Sequence, residues 1–340
     1  MPAVTQISLA SFDKLADTTN RMVAAWPDLI DELAEVRSLY QTMDIPRGTG
    51  DRRIVWELEG DTFARVKKEG EDAAKTRIIE GYSKTGYIRR FAAEVDITWE
   101  AREMGKNQEI ITRLTNLSTF CPQRMALDLT HRFTFGYSGS TSYTDMDGET
   151  VDVSMGDTFS LAYALHTLTG TTDTYNTVIT GNPVFSSGAL EVAMNIANTQ
   201  VKDNFGQLKV LNFNCVVTGN DPATVREVKQ LLNSTADPNA AHSGVTNTYS
   251  GMFRHVILPR LATTAAGAYD STKAKYWLYM AVGQWEGYFS LFEAPNMKSP
   301  SSGNNNEDAH NDDWCFGVRC AYMIVVVNSK GCLLSTGLGT

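Results

Sequence analysis

GDRRIVWELEGDTFARVKKEGEDAAKTRIIEGYSKTGYIRR, residues 50–90, is the stretch on which the reading of this chain turns. Arg52, Arg53, Arg65, Lys67, Lys68, Lys75, Arg77, Lys84, Arg89 and Arg90 interleave with Glu57, Glu59, Asp61, Glu69, Glu71, Asp72 and Glu80. Apolar residues are sparse, and several are large: Trp56, Phe63, Tyr82 and Tyr87. Such a segment cannot offset the conformational entropy of folding with a core of its own. A solvated, charge-laced hairpin is one reading. The other is a long loop that takes its order from partners, since long loops without a core are commonly functional.

The flanks are richer in core-forming signals. Before the segment, Trp26, Leu29, Ile30, Leu33, Val36 and Tyr40 fall on one helical face, with Pro27 suited to a first turn and Pro46 ending the helical stretch. That face fits either a helix packed on its own domain or an arm lying on a neighbouring subunit. After it, Phe91, Ala93, Val95, Ile97 and Trp99 alternate as a strand. Ile110, Ile111, Leu114, Leu117, Cys121 and Met125 mark the buried stripe of a long helix from about 107 to 133, which Pro122 is expected to kink or split. Residues 134–186, rich in Thr, Ser, Gly and Asp, favour strands and turns, with Asp147-Gly148 as a hairpin turn. Residues 187–337 read as a compact α+β unit. It has a helix from Ser187, a strand over 210–217, a helix capped by Asp221 and started by Pro222, and strands over 255–261, 276–282 and 288–293. A polar loop over 296–313 and a central closing strand over 314–328 complete it.

With 340 residues and 42% hydrophobic composition, the chain can bury a large core without staples. Its net charge of −9 argues against a dedicated DNA-coating protein, which needs a basic face to displace counterions. No signal peptide is expected, because Asp13, Lys14 and Asp17 break the first apolar stretch. No membrane span is expected either, the strongest apolar run, residues 320–327, being far too short. Cys121, Cys215, Cys315, Cys320 and Cys332, odd in number and scattered, read as reduced core cysteines.

Candidate chemistry is thin. Gly136-Tyr137-Ser138-Gly139-Ser140 resembles a nucleophile elbow only superficially, its last position being Ser. Asp145-Met146-Asp147-Gly148-Glu149 lacks the ligand series of a calcium loop and reads as a charged turn. His310, Asp312 and Asp313 sit in an Asn-rich loop with nothing to fix their geometry, and Cys315 and Cys320 have the wrong spacing for a zinc pair. His131, His166, His242 and His255 are isolated in sequence, and no phosphate-binding loop is present. The residues assign no catalytic, cofactor-binding or metal-binding role, so no enzyme activity and no cofactor are expected.

Taken as one block, residues 154–337 resemble the Mu-like bacteriophage major head subunits. The resemblance rests on Gly156-Asp157-Thr158-Phe159-Ser160-Leu161 with Ala164-Leu165-His166-Thr167-Leu168, then Lys202-Asp203-Asn204-Phe205-Gly206, Cys215-Val216-Val217 and the Asp221-capped helix. Arg254 to Leu261, Trp277-Leu278-Tyr279, Gly287-Tyr288-Phe289 and Phe316-Gly317-Val318-Arg319 follow in the same order. Leu161-Ala162-Tyr163 and Pro122 depart from the pattern. The resemblance implies an α+β fold of the Hong Kong 97 coat type. Its parts would be an N-terminal arm over 1–49, an extended hairpin loop over 50–90, a peripheral domain with a long spine helix over 91–160 with strands returning from 314–340, and an axial domain over 161–313.

The implied function is that of a major capsid protein of a tailed bacteriophage. Copies would close through pentamers and hexamers into an icosahedral shell around double-stranded DNA held without sequence-specific binding. The implied partners are the chain itself, with scaffold, portal and decoration proteins, and no membrane; the implied location is the virion, with assembly in the host bacterial cytoplasm. Exposed ion pairs being weak, the expected subunit contacts are the apolar anchors Trp26, Tyr40, Trp56, Phe63, Tyr82 and Tyr87, with Arg65, Lys67 and Lys68 beside them. An encapsulin-like compartment of the same fold, a viral tube or tail protein, and a soluble hydrolase built on His310 and Asp312 are the competing readings.

Overall fold

The protein is described here by a computed structural model covering residues 9–46, 48, 50–60, 63–64, 66–73, 75, 78–98, 100–101, 104, 106–137, 139, 141–236, 246–298 and 314–339. Its helices are α1 (Leu9–Ala24), α2 (Asp31–Arg37), α3 (Asn107–Thr134), α4 (Ser187–Thr199) and α5 (Pro222–Asn233). Its strands are β1 (Gln41–Thr42), β2 (Arg52–Gly60), β3 (Ile78–Tyr87), β4 (Arg89–Ile97), β5 (Ser142–Thr144), β6 (Thr150–Asp152) and β7 (His166–Thr167) in the first half. They continue with β8 (Thr174–Tyr175), β9 (Cys215–Thr218), β10 (Arg254–Ile257), β11 (Trp277–Met280), β12 (Gly287–Lys298), β13 (Trp314–Val326) and β14 (Cys332–Ser335).

Helix α3 is the spine, about 42 Å long at 1.5 Å per residue. Ile110, Leu114, Leu117, Cys121, Met125, Leu129 and Phe133 recur at three- and four-residue intervals and are all buried. Ile111, expected in that stripe, lies on the solvent side. Pro122 does not split the helix, which runs unbroken through it. The ring removes one backbone hydrogen bond, but burial of the stripe on both sides of it outweighs that single loss. A four-stranded sheet in the order β1-β12-β13-β4 lies on the spine. The expected closing strand is central there, with β12 on one side and β4 on the other, both antiparallel.

In the second sheet, β10-β9-β11-β14, the strands β9, β11 and β14 are buried on both faces and β10 forms a partly open edge. Val216, Trp277, Tyr279 and Leu333 face α4 and α5, while Cys215, Val217, Leu278, Met280, Cys332 and Leu334 join the core of the spine. Period-two alternation with both faces covered explains why these strands read as continuous apolar runs. The expected strand over 210–217 shrinks to Cys215–Thr218, where a partner is available on each side. Ser186 caps α4 by accepting from the Ala189 N–H, and Asp221 caps α5 by accepting from the Thr224 N–H. Sheet membership crosses the expected sequence intervals: β12 pairs in the spine sheet, and β14 pairs in the second sheet.

The amphipathic face of α1 and α2 closes on α3 and β12 of the same chain. Arg260 and Arg254 form ion pairs with Glu32 and Glu35, pinning α2 near β10. No helix among the described residues is long and apolar enough to cross a membrane.

Candidate assembly surface

The stretch over 50–90 is a hairpin of β2 and β3 with two unlike faces. Ile54, Trp56 and Leu58 alternate along β2, and the register places Thr85, Ser83 and Glu80 opposite them, with Ile78 opposite Gly60. This outer face is open: Trp56 is 53% exposed, Leu58 67%, Ile78 72% and Tyr87 60%. Every described residue of the tip is exposed, including Phe63, Lys67 and Lys68. Arg65 lies outside the described residues.

The inner face is closed by the protomer itself, a contact that neither the solvated hairpin nor the partner-ordered loop includes. Val55 packs on Met323 and Val325 of β13. Gly86 sits so close to the same two side chains that a Cβ there would collide with both. Beside this apolar contact, Lys330 reaches Glu57 at 2.6 Å and Glu59 at 3.2 Å, and Lys209 reaches Glu59 at 2.5 Å. Asn328 donates to Glu57 at 2.9 Å, and the Asn204 backbone N–H donates to Glu59 at 2.6 Å. Burial alone would raise the Glu59 carboxyl, but Lys330 and Lys209 together carry it below the ordinary glutamate value.

The expected anchors therefore divide. Trp56, Phe63 and Tyr87 stand open on the surface. Tyr82 belongs partly to the root, half-buried with its hydroxyl 2.7 Å from that of Thr167. Trp26 and Tyr40 are corrected: both are buried in the protomer's own core and have no ring face left for a neighbour. Tyr40 donates to the Leu129 carbonyl at 2.8 Å and packs against Phe133 and Trp285, while the Arg37 guanidinium covers Trp26. Helical periodicity marked both residues as buried but could not say against which chain.

At the base of the hairpin the acidic turn is a receiver for arginines. Asp145 Oδ1 accepts from the backbone N–H groups of Asp147 and Glu149, and Oδ2 accepts from Arg89 at 2.5 Å and Arg124 at 2.9 Å. Burial raises the Asp145 carboxyl, yet these donors bring it below the usual aspartate range. Arg124 also pairs with Asp128, which accepts from the Tyr322 hydroxyl at 2.7 Å. The network ties β4, the spine and β13 to the turn.

Sequence reading missed one constellation altogether. His166 Nδ1 stands 2.6 Å from Asp157 and Nε2 stands 3.0 Å from the Ser329 hydroxyl, an Asp–His–Ser relay in outline. All three residues are buried, and His166 Nε2 is shared with Thr177 at 3.1 Å. No substrate atom can approach a serine so enclosed, and the relay serves as a tie between the 157–177 segment and the corner after β13. Nothing in the spacing of 157, 166 and 329 signals it. Ser138, Ser140, His242, His310, Asp312 and Asp313 lie outside the described residues, and among the described residues no cluster of three or more His, Cys, Asp or Glu could hold a metal.

Two further histidines, buried His131 and half-buried His255, set an acid limit. Burial, then Lys273, lowers His131 to about 3, and burial, then Lys229, lowers His255 to about 4. The unfolded chain protonates both near 6.5 while the folded chain does not, so their contribution to stability is complete above that value and is lost as pH falls toward 4. Urea midpoints at pH 7.5, 6 and 5 should drop steadily, and the double variant His131→Gln/His255→Gln should show a flatter fall; an equal fall would refute the assignment.

No family model and no curated protein matches the chain. Among solved structures it is similar to the capsid protein of cyanophage P-SCSP1u, with a TM-score of 0.50 at 12% identity over 88% of this chain and 86% of that one. The fold is the Hong Kong 97-type coat fold. The capsid proteins of the myovirus phage XM1 (TM-score 0.49, 11% identity, 90% and 92% covered) and of the bacteriophage PhiM1 mature capsid (0.49, 10%, 88% and 85%) are similar over comparable spans. The likeness is one of fold and does not single out the Mu-like group.

Proposed function

We propose that this chain is the major capsid protein of a tailed bacteriophage, a subunit that self-assembles into a closed icosahedral shell. The observation that carries the reading is the two-faced hairpin on a coat fold. Its inner face is fastened to its own protomer, while Ile54, Trp56, Leu58, Ile78 and Tyr87 form an apolar stripe open to solvent. A contiguous apolar strand face of that kind marks a protein contact. Rings of five and six need contacts in which one surface meets a different surface of the next copy, so a protruding loop that reaches outward fits this geometry. Many weak contacts then act together.

The division into arm, hairpin loop, peripheral domain and axial domain is part of the same proposal, with β12 and β14 assigned by their pairing. The candidate contact residues are Trp56, Phe63, Tyr87, Lys67 and Lys68, with Arg65 beside them. The net charge of −9 suits a wall that contains double-stranded DNA without adsorbing it. Scaffold, portal and decoration proteins are the further partners, and the host bacterial cytoplasm is the place of assembly. Negative-stain imaging of the purified full chain should show closed hollow particles that retain duplex DNA only weakly at physiological salt. A small soluble oligomer, or an open filament, would overturn the reading; enclosed protein cargo in place of nucleic acid would move it to a compartment shell.

A further inference from the structure

The fastening of the hairpin root is unusual for a strand pair. Lys330 is 2% exposed and carries an ammonium into the interior, where it meets Glu57 and Glu59. Lys209 completes the pairing from the loop before β9 and also stands 4.0 Å from Glu286. Three carboxylates thus face two ammoniums. Burial, and then the charge of Glu57, pushes the Glu286 carboxyl above its ordinary range. The fully buried Asn204 side-chain amide lies beside Glu57 across Gly81 of β3, and neither its nitrogen nor its oxygen has a hydrogen-bond partner among the described residues.

A buried ion cluster holds firmly while balanced and fails abruptly when one member is lost, because the remaining charge is left without water or partner. The rest of the root is modest: Val55 packs on β13, Ile79 and Tyr82 are half-buried against the Gly170 and Gly156 corners, Gly86 brings no side chain, and Lys84 pairs with the largely exposed Asp152 at 2.6 Å. The receiving half is anchored independently of the hairpin. Ser329, the neighbour of Lys330, is hydrogen-bonded to His166 and to Tyr175.

We propose that Glu57, Glu59, Lys209 and Lys330 form a releasable latch: when its charge balance is broken, β2 and β3 leave the protomer as one unit while both four-stranded sheets and the spine stay folded. This rests on the outer face being the contact between copies, and it names what sets the hairpin's angle before that contact forms.

The test is hydrogen exchange, read by mass spectrometry, on the full-length chain. Lys330→Met should raise exchange over 52–60 and 78–87 about a hundredfold or more, with β13 and α3 unchanged. The double variant Glu57→Gln/Lys330→Met, which removes one charge of each sign, should return exchange to within about tenfold of the original protein. Unchanged hairpin exchange in Lys330→Met, an equal rise across β13 and α3, or no recovery in the double variant would each overturn the latch. Should Lys330→Met fail to fold, Lys209→Met must give the same selective rise at smaller size, and its absence would also overturn the proposal. Particle formation by the unaltered protein is measured separately: its failure would remove the shell reading and leave the exchange result standing.

Discussion

Replacing Ile54, Trp56 and Leu58 together by serine should abolish the proposed closed particles and leave the stability of the protomer within about 0.5 kcal/mol, because the three positions are exposed and outside the core. The three side chains lie at alternate positions of β2 and point away from the protomer, so their loss opens no cavity. In the proposed shell their worth lies between copies. Truncating a central aromatic anchor costs about 2 kcal/mol or more per contact. That is roughly a thirtyfold loss in one association constant. A closed shell repeats the contact in every subunit, so the loss is compounded. Sedimentation velocity and imaging read the outcome directly; intact particles from the triple variant would show that the stripe is not the contact. Lys67→Ala/Lys68→Ala, by contrast, should change assembly little, since exposed charges contribute about 0–1 kcal/mol each.

Asp145→Ala should be the most damaging single change at the base of the hairpin, costing about 3 kcal/mol. Its carboxylate is nearly inaccessible and receives both Arg89 and Arg124, and removing it leaves two partly buried guanidiniums short of a counter-charge. The figure sits at the low end for a broken buried pair because Arg89 keeps Glu149 and Arg124 keeps Asp128 and Asp147. Asp147→Ala, in the same turn but more than half exposed, should cost no more than about 0.5 kcal/mol. Urea unfolding of the two variants side by side decides the point; equal losses would mean that the turn, rather than the arginine network, carries the stability.

Local signals placed most of the elements. The three- and four-residue recurrence of apolar side chains located the spine from Ile110 to Phe133, and Asp221-Pro222 and Asp147-Gly148 located a helix start and a turn. These succeed because capping, turn chemistry and helical burial each depend on residues a few positions apart. Pro122 does not split the spine, for the converse reason. Its local cost is real, but burial along the stripe on either side is larger, and only the packed partner supplies that.

The amino-acid order alone therefore determined that 50–90 has no core of its own, that its large side chains are few, and that the flanking helices and strands each hide one face. It left open which surface each face would meet. The fold decided that Trp26 and Tyr40 turn into the protomer, that the inner face of the hairpin does the same, and that the outer face does not. The physical reason is distance along the chain: Glu57 is held by a lysine 273 positions away and Asp157 reaches Ser329 through His166, and no local periodicity records a pairing of that span.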